Sequence, residues 1–176
     1  MMDYNQKVSI LYKLMDLIIS RVGKRIVSMP IGNLDSKAMI ICDFDSVNNY
    51  KLELIRFILK AKNVDFNDIY ITSLNKVSVE DVDLTEFNKK VILKEIAIIN
   101  PSVIVDTTGT LNLSGDFKYI SITNDKFIST CSLYKKSQKE MLTDSETSMY
   151  TEAKNFFWKE FVPFFKFYGE AVSEHE

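Results

Sequence analysis

The sequence is poor in the side chains that usually build metal and redox centres. It has two cysteines, Cys42 and Cys131, which lie far apart and outside any C-x-x-C spacing, and a single histidine, His175. Thiolate zinc sites and iron–sulfur clusters need closely spaced cysteines. The sequence therefore predicts neither kind of centre, and we expect no metal ion and no cofactor. Isolated thiols are typical of a reduced, intracellular protein.

Long apolar runs are also missing. The most apolar N-terminal stretch, "ILYKLMDLII", is interrupted by Lys13 and Asp16 and is too short to cross a bilayer. It does not have the pattern of a secretory signal peptide either. We therefore expect a cytoplasmic protein that does not insert into a membrane.

Neither sign of charge is in large excess. The chain has 22 Lys and Arg against 24 Asp and Glu, a formal net charge of −2. Without a global positive field, contact with DNA would require a local basic patch. One cluster in the polar segment 124–150, predicted to be rich in loops, combines lysines with aromatic side chains; a solvated surface loop is the competing interpretation. Its residues are Lys126, Phe127, Tyr134, Lys135, Lys136 and Lys139.

Helical and strand patterns alternate along the chain. Apolar residues at three- and four-residue spacing predict helices over 4–22, 49–62 and 86–99. Between and after them lie the strand candidates "AMIICDF", "DIYIT", "SVIVDTTG" and "DFKYISIT", with "RIVSM" as a further short strand. This order predicts an α/β fold: a three-layer α/β/α sandwich around a central, mainly parallel four-stranded sheet. We expect one domain over 1–170, followed by a polar tail at 171–176.

The C-terminal helix predicted over 151–168 is unusually aromatic. Pro163 is expected to kink or break it. The helix carries more large rings than one core-facing stripe needs, so some rings are predicted to form a surface for a protein partner. The candidates are three phenylalanines beyond the proline, Phe164, Phe165 and Phe167.

Polar residues follow the predicted strands at their carboxyl ends. In open parallel sheets, ligands bind beyond these ends. The sequence therefore predicts that a ligand pocket would lie at these strand ends. Its candidate residues are Asp43, Phe44, Asp45, Ser73, Asn75, Thr123 and Asn124.

Two phrases, "DIYITSLNK" and "KEIAIINPSVIV" with the turn at Gly109, resemble the uracil-DNA glycosylase superfamily, especially its small bacterial and thermophile-type branches. Lys154 and Trp158 before the last apolar helix extend the resemblance, which covers 37–162 and is strongest over 68–109. The resemblance implies the fold given above and a pocket at the strand ends.

The catalytic motifs of that family are where the sequence departs from it. "CDFDSV" occupies the place of a glycine-rich turn and contains no glycine, and Ser73 stands where the family has a base-reading asparagine. "SITNDKFIS" lacks the His-Pro-Ser phrase whose imidazole would stabilise the departing uracil anion. The resemblance therefore implies a degenerate member with no catalytic residues: a binding module that acts as an accessory in DNA replication or repair, with a replication or repair protein as its partner.

Two enzymatic hypotheses stay open beside this one. A divergent but active glycosylase would use Asp43 with Asn75 or Asn124. "MIICDFDSV" also resembles the Asp-x-Asp-x-Val signature of haloacid-dehalogenase phosphatases, in which Asp43 would be the nucleophile, Asp45 the general acid/base, and magnesium would join carboxylate and phosphate.

Overall fold

Five strands form one mixed sheet in the computed structural model, which describes residues 2–22, 29–44, 50–76, 83–122 and 124–173. The spatial order is β1-β3-β2-β4-β5; β3, β2, β4 and β5 run parallel, and β1 pairs antiparallel with β3. The strands are β1 Ile31–Gly32, β2 Ala38–Cys42, β3 Tyr70–Ser73, β4 Val103–Asp106 and β5 Lys118–Ser121.

Five α-helices accompany the sheet. The side chains of β2, β3 and β4 alternate between two separate apolar clusters, one shared with α1 and α3 and the other with α2, α4 and α5. Helices therefore pack on both faces, which explains why every residue of β2 is buried. The helices are α1 Tyr4–Val22, α2 Tyr50–Ala61, α3 Thr85–Ile99, α4 Asn124–Ser137 and α5 Asp144–Ser173.

The predicted α/β class and the mainly parallel sheet are confirmed, but the count of four strands is wrong. The additional strand, β1, has two residues and pairs at the sheet edge through Ile31 with Ile71 and Gly32 with Tyr70. Gly32 has φ +97°, and a Cβ atom there would lie 1.7 Å from the carbonyl oxygen of Ile69. Only glycine fits this close approach. The predicted strand "RIVSM" lies, except for Met29, outside the described residues.

The prediction of loops over 124–150 is wrong for most of that segment. α4 occupies its first half and buries Phe127, Thr130 and Cys131, which follow the three- and four-residue spacing of one helical face. α5 begins at Asp144, earlier than predicted. Its first turn is closed by a capping box in which the Thr143 hydroxyl and the Glu146 carboxylate each accept from the other's backbone N–H at 3.1 Å.

α5 runs through Pro163 without a break and continues to Ser173. The first three residues of the predicted tail are therefore helical, and 174–176 lie outside the described residues. None of the helices in the described part of the chain is long and apolar enough to cross a membrane.

Candidate functional site

The carboxyl ends of β2 and β4 are the place where this topology favours a site. From β2 the chain moves to β3 on one side, and from β4 it moves to β5 on the other. Neighbouring strands whose connections diverge in this way leave a crevice at their carboxyl ends. Asp43 and Phe44 follow β2, and the segment 107–110 follows β4. The end of β3 lies beside Cys42, which pairs with Ser73.

The Ser73 hydroxyl links the backbone that follows β2 to the end of β3. It accepts hydrogen bonds from the backbone N–H groups of Phe44 and Asn75, both at 3.0 Å, and donates to the Phe44 carbonyl at 2.7 Å. The Leu74 N–H donates to the Cys42 carbonyl at 2.9 Å. Ser73 is fully buried and the Phe44 ring is 7% exposed. The Ser73 hydroxyl is thus engaged in holding the backbone after β2 against the end of β3.

The other predicted pocket residues do not converge with Ser73 on a described cavity. Asp43 is exposed, and the side chain of Asn75 is half-buried. Asn124 begins α4, but nothing is described of its side chain; Asp45 and Thr123 lie outside the described residues.

Asp106, at the end of β4, is a buried carboxylate with many donors. Its Oδ1 accepts from the N–H of Thr108 at 2.9 Å, the hydroxyl of Thr108 at 2.5 Å and the N–H of Gly109 at 3.3 Å. Its Oδ2 accepts from the N–H of Leu111 at 3.2 Å and the hydroxyl of Tyr119 at 2.6 Å. Desolvation, together with this hydrogen bond, raises the pKa of Tyr119 to about 12. All of these donors belong to the protein, so Asp106 orders the loop after β4.

A buried ion pair lies on the α3 side of the sheet, and sequence reasoning missed it. Nζ of Lys76 lies 2.6 Å from Oε1 of Glu95 and also donates to the Thr72 hydroxyl, and both charged side chains have zero exposure. The nearby Tyr70 hydroxyl has no hydrogen-bond partner among the described residues. Burial lowers the pKa of Lys76 and raises the pKa of Glu95, because both charged forms lose water; their mutual attraction opposes both shifts.

The pattern of α3 contained a signal for this pair. Glu95 lies in phase with the apolar stripe of its helix, between Val91 and Ile92 on one side and Ile98 and Ile99 on the other. A carboxylate on a core-facing stripe needs a buried cationic or hydrogen-bonding partner. The identity of the partner could not be read locally, because Lys76 lies well before α3 in the chain.

The predicted DNA-contact cluster lies on α4 instead of a loop, except for Lys139, which follows the end of that helix. Phe127 is 1% exposed and belongs to the core. Lys135 lies over the Tyr50 ring at 4.8 Å, while Lys136 pairs with Glu146 and lies 4.0 Å from Glu140. Tyr134 is half-buried, Lys139 is exposed, and nothing is described of the Lys126 side chain. Glutamates therefore offset part of the positive charge that the sequence predicted.

The predicted partner surface on α5 is largely inside the molecule. Phe164 is fully buried and packs against Phe161, with ring centroids 5.2 Å apart. Phe165 and Phe167 are half-buried and contact the same apolar cluster. Phe164 therefore belongs to the core and offers no surface to a partner.

No group of three or more metal-binding side chains occurs among the residues that the structure describes. No protein-family model matches the sequence, and no curated protein matches it. At the strand ends, the Ser73 hydroxyl and the Asp106 carboxylate are engaged with the protein's own backbone, whereas Asp43 is exposed.

Replacing Ser73 with alanine is expected to lower the free energy of unfolding by about 1–3 kcal/mol, since three buried backbone groups lose their partner. Urea denaturation of the wild type and the variant measures the difference. Ser132→Ala, at an exposed position on α4, is the matched control and should change stability little. Equal stability of Ser73→Ala and the wild type would show that the hydroxyl does not hold the end of β2.

Proposed function

We propose that this chain is a non-catalytic, uracil-DNA glycosylase-like binding module, a three-layer α/β/α sandwich that serves as an accessory in DNA replication or repair. The observation that carries the proposal is the engagement of the Ser73 hydroxyl with Phe44 and Asn75. A base-excising enzyme needs polar groups at these strand ends that face the substrate. Here the Ser73 hydroxyl is bound to the protein itself.

The fold supports the same proposal at a coarser level. The parallel strands β3, β2, β4 and β5 carry helices on both faces, as a glycosylase-like frame requires. The phrase 94–105 lies within the segment 68–109, where the resemblance is strongest, and spans the end of α3 and most of β4. A fold alone does not determine an activity. The proposal therefore depends on the hydrogen bonds of Ser73 at the strand ends.

The enzymatic alternatives gain no specific support. A phosphatase of the Asp-x-Asp type would need a further carboxylate near Asp43 to hold magnesium. Asp106, which ends the neighbouring strand, has both oxygens occupied by backbone and hydroxyl donors. A magnesium-dependent release of phosphate from a generic ester would revive this hypothesis.

Binding assays test the module. Purified protein should be retained on a DNA column at low salt and released as salt increases, or should co-purify from native extract with a replication or repair protein. If α4 contributes to the retention, Lys135→Glu should elute at lower salt, whereas Lys60→Glu on α2 should not. Absence of both DNA retention and such a partner would contradict the proposal.

A further inference from the structure

An apolar groove follows the seam between α1 and α3. Two depressions of about 430 and 360 Å³ share Leu14, Leu17 and Lys94, so they are continuous along the seam. The groove lies on the face of the sheet opposite to α2, α4 and α5. Ile10, at its side, is 40% exposed and Leu93 is 47% exposed.

The groove has the size of a helical ligand. On α3 its lining extends from Phe87 to Ile98, a distance of about 16 Å at the rise of an α-helix. This corresponds to about three helical turns. Amphipathic helices bind such grooves through apolar anchors at i, i+3 or i+4, and i+7.

The charged side chains in the described lining of the groove have one sign. The described lining includes Lys13, Lys90 and Lys94 and no carboxylate. Among the described residues, none of these three lysines forms an ion pair. A local excess of positive charge stands out in a chain whose net charge is −2. Complementary potentials favour an acidic partner here.

We propose that the α1–α3 groove binds an acidic amphipathic helix of a partner protein, with apolar side chains in the seam and carboxylates facing the three lysines. This deepens the proposed function, because it gives the binding module a surface and its partner a chemistry. The proposed helix binding does not require DNA. A DNA contact through α4 would lie on the opposite face of the sheet.

A peptide titration tests the inference. The probe is a capped, fluorescently labelled helix of about four turns with leucines at i, i+4 and i+7 and glutamates beside them. We expect a dissociation constant below about 100 µM, measured by fluorescence anisotropy, and weaker binding as salt increases. The same peptide with lysines in place of the glutamates should bind at least about tenfold more weakly.

Variants of the protein locate the interaction. Lys94→Glu and Leu93→Ser are each expected to weaken binding about fivefold, through lost charge attraction and lost apolar contact respectively. The matched controls are Lys60→Glu on α2 and Met141→Ser, at a side chain that is 93% exposed. Circular dichroism spectra of all variants should match that of the wild type.

Three outcomes would overturn the inference. The first is equal binding of the acidic and basic peptides, and the second is no detectable binding of the acidic one. The third is concentration-dependent self-association in sedimentation that Lys94→Glu abolishes, because a second copy would then occupy the groove. Retention on DNA is measured separately and would not change in any of these cases, so failure here is distinguishable from failure of the proposed function.

Discussion

Replacing Lys76 with methionine is expected to destabilise the fold by about 3–5 kcal/mol, because it leaves the Glu95 carboxylate buried without its cation. Both side chains are fully buried, and Nζ lies 2.6 Å from Oε1. Urea denaturation of the wild type and the variant measures the effect. The matched control is Lys60→Met at an exposed position of α2, for which we expect a change within about 0.5 kcal/mol.

A double variant tests whether Lys76 and Glu95 contribute to the stability of the fold as a pair. Lys76→Met combined with Glu95→Met removes both buried charges and replaces them with apolar side chains of similar length. Replacement of a whole buried pair is often close to neutral. The double variant should therefore be more stable than either single variant, whereas additive losses would show that the two side chains do not act as a pair.

The loss of stability caused by Lys76→Met should depend on pH. Burial already raises the pKa of Glu95 above its ordinary value of 4.5, and the substitution removes the attraction that opposes this rise. Above pH 4.5 the unfolded chain releases this proton while the folded variant retains it, so its stability falls as pH rises. We expect a larger deficit relative to the wild type at about pH 8 than at about pH 5.

Replacing Asp106 with alanine is expected to lower the free energy of unfolding by about 3 kcal/mol or more, because several buried and partly buried donors lose one shared acceptor. They are the N–H groups of 108, 109 and 111 and the hydroxyls of Thr108 and Tyr119. Urea denaturation is again the measurement. Asp116→Ala, at an exposed loop position, is the control and should be close to neutral.

A second measurement tests whether the hydrogen bond between Tyr119 and Asp106 is lost in the variant. Tyr119 has a pKa raised to about 12, in part by its bond to the Asp106 carboxylate. In Asp106→Ala its pKa should move down toward the ordinary value of a phenol. NMR of protein with labelled tyrosine rings follows this titration. An unchanged Tyr119 pKa in a destabilised variant would mean that the Asp106 carboxylate stabilises the loop after β4 but does not raise the pKa of Tyr119.

Periodicity predicted the elements whose apolar pattern is strong and local. α1 has the predicted bounds Tyr4–Val22. β2, β4 and β5 fall within the predicted runs, and β3 extends one residue beyond its run, to Ser73. α4 was missed because its mean hydropathy is low and only Phe127 and Cys131 mark its buried face. The start of α5 was readable in the Thr143-x-x-Glu146 capping box, which the polar composition of the segment obscured.

The hydrogen bonds of the Ser73 hydroxyl could not be predicted in the same way. Ser73 reaches Phe44 because Cys42 and Ser73 lie side by side in the register of β2 and β3. That register is set by the whole sheet, so the hydroxyl's partners are not encoded nearby in the sequence. The sequence did predict the positions of the strand ends to within a few residues, since a buried apolar run followed by a polar residue is a local signal.

Incubation of the purified protein with uracil-containing single- and double-stranded DNA, followed by detection of abasic sites, tests most directly whether the protein lacks base-excision activity. We predict no abasic sites above the level given by Asp43→Asn. Clear turnover that Asp43→Asn abolishes would contradict the account.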